Sequence, residues 1–124
     1  MKKLSHRIKV TVPSNIQGRE LSEAELMEHV EVIAKNFSQL YGGFTAHPAE
    51  GGWVNSTGEL IHEAVVVVEA LSAEPIKKRI GLFSSLNYIL DTMKQDAVLV
   101  EVDGVGYILE SFQDIVEEFA DTLA

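Results

Sequence analysis

Ile8, Val10 and Val12 alternate with Lys9 and Thr11, a period of two that predicts a strand with one buried face, closed by Pro13. Ser14 to Glu20 is polar, contains Gly18 and is expected to form a loop. Ser22 and Glu25 stand at capping-box spacing, the hydroxyl accepting from the N3 amide while the carboxylate returns to the cap. Leu26, Val30, Ile33, Phe37 and Leu40 then recur at helical intervals, and Gly42-Gly43 supplies a left-handed stop. The segment between them is a helix of about five turns.

From Phe44 to Leu71 the pattern is that of a long hairpin. Pro48 and Gly51-Gly52 are expected to interrupt its first arm, and Asn55-Ser56-Thr57-Gly58 is turn chemistry. A bulge at the glycine pair would re-aim Trp53, the only tryptophan, as a binding anchor; otherwise its ring fills the core. The second arm carries Leu60, His62, Ala64, Val66 and Val68 on one face and Ile61, Glu63, Val65, Val67 and Glu69 on the other. Its middle is apolar on both faces, so each side needs a cover. One layer of helices supplies one, and the other is expected from the C-terminal helix or a second copy of the chain.

Ser72-Ala73-Glu74-Pro75 reads as the start of a helix whose apolar stripe, Ile76 to Met93, runs to about Lys94. Ala97–Glu101 and Val105–Leu109 are strands joined around Asp103-Gly104, a short hairpin signal. Ser111 caps a last helix with Phe112, Ile115, Val116, Phe119 and Leu123 on one side. The order β-α-β-β-α-β, with an extra C-terminal strand and helix, is that of a ferredoxin-like split βαβ sandwich in the α+β class, one domain over residues 1–124. That fold fixes no function.

Composition removes several chemistries. Without cysteine there is no disulfide, thiolate zinc site, iron–sulfur cluster or cysteine nucleophile. The longest strongly apolar run, Ala64–Val68, is far below the ~20 residues of a bilayer span. The charged start, Met1 to Arg7, precedes no signal-length apolar core, so a soluble cytoplasmic protein is expected. A formal charge of −9 argues against direct binding to nucleic acid or anionic membrane. Seven of the ten basic residues fall in two clusters, Lys2, Lys3, Arg7 and Lys9, then Lys77, Lys78 and Arg79, which could hold an anionic group if they met. Acids gather at Glu25, Glu28 and Glu31 in the first helix and at Asp114, Glu117, Glu118 and Asp121 in the last, either as solvated faces or as a docking surface.

No catalytic constellation stands out. The histidines, His6, His29, His47 and His62, lack metalloprotease spacing, and no metal or cofactor is expected. A site assembled across the hairpin from His47, His62 and a carboxylate is the remaining metal arrangement. Glu63, held among valines, is an acid–base candidate if unpaired and a structural group if an arginine answers it. The glycine pairs do not form a phosphate loop.

Gly42-Gly43-Phe44-Thr45, Gly51-Gly52-Trp53-Val54, Gly58-Glu59-Leu60, Glu63 with the valine run, and Glu101-Val102-Asp103-Gly104 with Gln95 and Tyr107 resemble a group of small bacterial proteins carried by phages, plasmids and other mobile elements. The resemblance spans about residues 40–109 and implies a mobile-element origin, with no catalytic residue to transfer. The leading expectation is a non-enzymatic binding module, an inhibitor of the anti-defence kind. It would act as a homo-oligomer on a host protein through the acidic helices, or sequester a small anionic ligand with Lys77, Lys78, Arg79 and Trp53. The alternative is a small αβ-barrel-type enzyme with His62 or Glu63 as acid–base residue in a dimer pocket. A purely structural assembly subunit is a third reading.

Overall fold

The computed structural model describes residues 1–124. In chain order it contains β1 (His6–Pro13), β2 (Asn15–Ile16), β3 (Arg19–Glu20), α1 (Glu23–Tyr41), β4 (Thr45–Val54), β5 (Leu60–Ser72), α2 (Ile80–Asn87), β6 (Val98–Val102), β7 (Val105–Leu109) and α3 (Phe112–Asp114). Two π-helical turns, Tyr88–Thr92 and Ile115–Phe119, prolong α2 and α3. The main sheet has the order β4-β5-β1-β6-β7 and is antiparallel throughout. This is the expected ferredoxin-like α+β sandwich, with β7 and α3 as the additions.

Register assigns the two faces of the sheet. Ile8, Val10 and Val12 stand opposite Ala70, Val68 and Val66 on β5, and Val10 opposite Val100 on β6. All of these except the half-buried Val66, which packs against them, join Val30, Ile33, Phe37, Leu82, Leu86, Ile89 and Phe119 in one buried cluster under the helices. Helix α1 begins at the foreseen capping box: Ser22 Oγ accepts from the Glu25 amide at 3.1 Å, and Glu25 Oε1 accepts from the Ser22 amide at 3.0 Å. It ends on Gly42 at φ 90°, a conformation that costs glycine little. Asp103 and Gly104, at φ 51° and 84°, form the tight two-residue turn between β6 and β7.

Several expectations need correction. The second helix starts at Ile80 rather than near Pro75, because the Ser72 hydroxyl draws the Glu74 amide into a turn at 3.2 Å. Ile76 is buried from the resulting extended connection. The first hairpin arm runs unbroken: β4 is an edge strand paired only with β5, so Pro48 is tolerated there. Gly51 and Gly52 pair in register with Glu63 and His62, no bulge forms, and Trp53 is neither re-aimed nor buried. The polar stretch after β1 contains the small β2–β3 hairpin.

The closing helix does not cover the second face of β5. Tyr107 pairs with Val100, on the helix side of the sheet, and the Phe119 ring packs edge-on against Tyr107 with centroids 5.4 Å apart. All three helices therefore share one side. On the other, Val65 is buried and Val67 half-buried with no helix above them.

Candidate functional site

Beyond the last pair of β1, Pro13 with Val65, strands β4 and β5 continue alone. Five cross-strand pairs, from Glu50–Ala64 to Val54–Leu60, form a two-stranded ribbon with no third strand. Such a ribbon is marginal in water by itself. Its end is apolar and wet: Trp53 is 53%, Leu60 56% and Val54 64% exposed. The turn is internally tied, with Asn55 Oδ1 accepting from the Thr57 and Glu59 amides at 3.0 and 2.9 Å. A rigid turn thus holds an unsupported apolar ribbon in solvent, the form of an interaction or binding element.

The pleat sorts the polar groups. His62 shares a face with Glu50, and its Nδ1 pairs with the Glu50 carboxylate. Glu63 points to the opposite face with Trp53, Ile61, Val65 and Val67, and accepts from Asn15 Nδ2 at 3.0 Å. Asn15 is fixed in turn, its carbonyl accepting from Gln95 Nε2 at 2.8 Å. Glu63 has this amide partner and no arginine, so it is a placed carboxylate on a largely apolar face. Further down that face Lys9 Nζ lies 3.9 Å from Glu69 and 3.6 Å from Glu101, with Arg7 Nε 4.0 Å from Glu69. The open side of the sheet therefore runs from a neutralised charge row, through valines and Glu63, to the Trp53 end. Asn15 and Glu50 were missed in the sequence, and Gln95 stood out only in the resemblance, because their roles depend on contacts across the fold.

The other candidates are dispersed. His47 pairs with Val67 on the face away from His62, so no His47–His62 site exists. His6 Nδ1 lies 2.8 Å from Asp103, whose carboxyl is held below the usual range by that bond and by the Arg7 amide. His29 Nδ1 lies 2.7 Å from the Tyr88 hydroxyl. Glu25 is committed to the capping box and to Arg19, whose guanidinium hydrogen bonds bring its carboxyl down to about 2. Asp114 accepts from the Glu110 amide and Glu117 from Gln113, local helix-end bonds, while Glu28, Glu31, Glu118 and Asp121 are exposed. Lys77 pairs with Glu74 at 3.2 Å; Lys78 and Arg79 have no acidic partner within 4.0 Å. The two basic clusters do not merge: Lys2 lines one cavity beside Tyr41, and Lys77 and Arg79 line a separate one.

No family model matches the chain, and no curated protein sequence matches it. Solved structures do, phage SAM lyases among them. A phage SAM lyase in complex with S-methyl-5′-thioadenosine superposes with a TM-score of 0.62 at 18% identity, covering 90% of this chain and 95% of that one. A phage SAM lyase in the apo state gives 0.59 at 15% identity with the same coverage. The likeness is one of fold. Both neighbours are enzymes built on this architecture across nearly its whole length, which overturns the expectation of a non-enzymatic inhibitor or sequestering module. No helix is long and apolar enough to cross a membrane.

Proposed function

We propose that the chain is a small lyase acting on a sulfonium nucleoside of the S-adenosylmethionine class, with its pocket closed between copies of the chain at the free end of the β4–β5 hairpin. The observation that carries this reading is the near end-to-end correspondence with a phage SAM lyase that holds S-methyl-5′-thioadenosine. That ligand differs from S-adenosylmethionine by the amino-acid arm on sulfur. Breaking the arm's carbon–sulfur bond sends the electron pair to sulfur, and the cationic sulfonium leaves as a neutral thioether. The arm completes its valence without water, either by closing on its own carboxylate or by losing a proton to a base as a carbon–carbon double bond forms. A sulfonium brings its own leaving group, so the protein has to supply orientation, a dry wall and at most one base.

The ribbon offers those parts. Trp53 gives an aromatic face for a purine, Ile61 and Val65 an apolar wall, and Glu63 the acid–base group, with His62 on the reverse face for the second side of a shared pocket. A second copy would dry both the ribbon and the half-buried Val67. Native mass spectrometry with added S-methyl-5′-thioadenosine tests this: assembled species carrying the nucleoside are expected, with Trp53→Ala weakening its retention. A protein that stays monomeric and retains none overturns the proposal.

A further inference from the structure

Strand β1 leaves the sheet at Pro13, opposite Val65. Continuing that register places Asn15 opposite Glu63, where no backbone ladder forms. The Asn15 side chain bridges the gap instead, its Nδ2 donating to Glu63 Oε1 at 3.0 Å. A carboxylate can only accept, so the amide must present its nitrogen. No other side-chain hydrogen bond joins the ribbon to the rest of the chain; those of Asn55 and the His62–Glu50 pair stay within it.

Asn15 is itself held from two directions. Its backbone pairs with Glu20 in the β2–β3 hairpin, and its carbonyl accepts from Gln95 Nε2 at 2.8 Å. The same Gln95 nitrogen donates to the Met93 carbonyl at 2.8 Å, which locks the amide in place. Two of the chain's three non-glycine residues at positive φ lie on the loops of this brace: Gln17 at 50° in the β2–β3 turn, and Lys94 at 53° directly before Gln95. L-residues take that conformation at a cost, and such strain gathers where a side chain is held for function. Glu63 Oε2, by contrast, has no donor in the chain and is open to solvent, on the face that carries Trp53 and Ile61.

We infer that Asn15 is a positioning residue for the reaction: anchored by Gln95, it pins Oε1 of Glu63 so that Oε2 meets the reacting arm of the bound sulfonium from a fixed direction. The inference rests on the lyase reading of this site and assigns the support that the ribbon lacks. A glutamate has three side-chain torsions to restrain, and on a ribbon without a third strand no other polar group holds them. Pinning one oxygen pre-aims the other, and orientation of this kind acts on turnover rather than on uniform binding. Asn15 touches no substrate in this assignment and works only through Glu63.

The test is steady-state cleavage of S-adenosylmethionine by the full chain as parent, Asn15→Ala, Asn15→Asp, Glu63→Gln and the Asn15→Ala/Glu63→Gln double variant, with ribbon amide exchange read on each. Glu63→Gln should lower kcat roughly hundredfold or more. Asn15→Ala should lower kcat roughly tenfold or more while KM stays within about twofold of the parent. The double variant should match Glu63→Gln within about twofold, because a residue that acts through another adds nothing once the other is gone. Asn15→Asp keeps the size and loses the donor, so it should fall at least as far as Asn15→Ala. Multiplying losses in the double variant, parental kcat in either Asn15 variant, or ribbon protection lost in both of them overturns the inference and leaves the lyase reading standing. A parent that cleaves nothing overturns the lyase reading, and this inference with it.

Discussion

Gly52 gives the sharpest perturbation of the hairpin. It pairs with His62 in the ribbon, and a Cβ built on it stands 2.6 Å from the Ile61 carbonyl oxygen, where ordinary contact begins at 3.4 Å. The obstacle is backbone, which cannot swing aside as a long side chain could. Gly52→Ala must therefore push the two strands apart by several tenths of an ångström, and such overpacking costs about 1–3 kcal/mol. Strand β1 does not reach this pair, so the cost falls on the ribbon while the core under the helices stays packed. Amide protection in residues 50–54 and 60–64 should drop roughly five- to hundredfold by hydrogen exchange, with little change in the rest of the chain. Cleavage of S-adenosylmethionine should fall with it. Gly51→Ala is the matched control: nothing lies within 4 Å of its built Cβ, and both readings should stay near the parent. Wild-type protection and activity in Gly52→Ala would refute the reasoning, as would equal damage from Gly51→Ala.

Phe37→Ala removes one of the largest fully buried side chains and should lower unfolding free energy by about 3–5 kcal/mol in denaturant titration. Glu25 titrates near 2 when folded, below its ordinary range of about 4.5, so its contribution is present above the unfolded value and is lost as pH falls towards 2. Arg19→Gln should shrink the acid-side loss of melting temperature between pH 5 and 2 while leaving the alkaline side unchanged. Tyr41 behaves in the opposite sense: its folded value, near 12, exceeds the unfolded 10, so its contribution is complete below pH 10 and disappears as pH rises to 12. Phenolate absorbance should therefore lag in folded protein, and Tyr41→Phe should flatten the alkaline limb of the stability curve.

The elements governed by local chemistry were legible in the sequence. Ser22 with Glu25, Gly42, Asp103-Gly104 and Ser111 each act within a few residues, and the structure uses every one as expected. Misreadings arose where a distant contact decided. Pro48 and Gly51-Gly52 look like breaks until β4 is known to be an edge strand with a free outer side. Ile76 keeps helical spacing with Ile80 and Phe83, yet is buried from an extended segment whose carbonyl also accepts from the Ala124 amide. The two-sided apolar character of β5 was visible, but the side taken by the last helix was not, because it follows from the Tyr107–Phe119 contact. Of the site, Trp53, His62 and Glu63 could be named as residues. The Asn15 and Gln95 brace, and the isolation of the ribbon, depend on tertiary pairing.

Purified protein incubated with S-adenosylmethionine in ¹⁸O-labelled water, with products weighed by mass spectrometry at early times, reads the proposed chemistry most directly. S-methyl-5′-thioadenosine should accumulate over many turnovers, and the co-product from the amino-acid arm should start free of heavy oxygen. No cleavage by protein whose hairpin amides are protected, or heavy oxygen in the co-product from the first time point, would contradict a lyase.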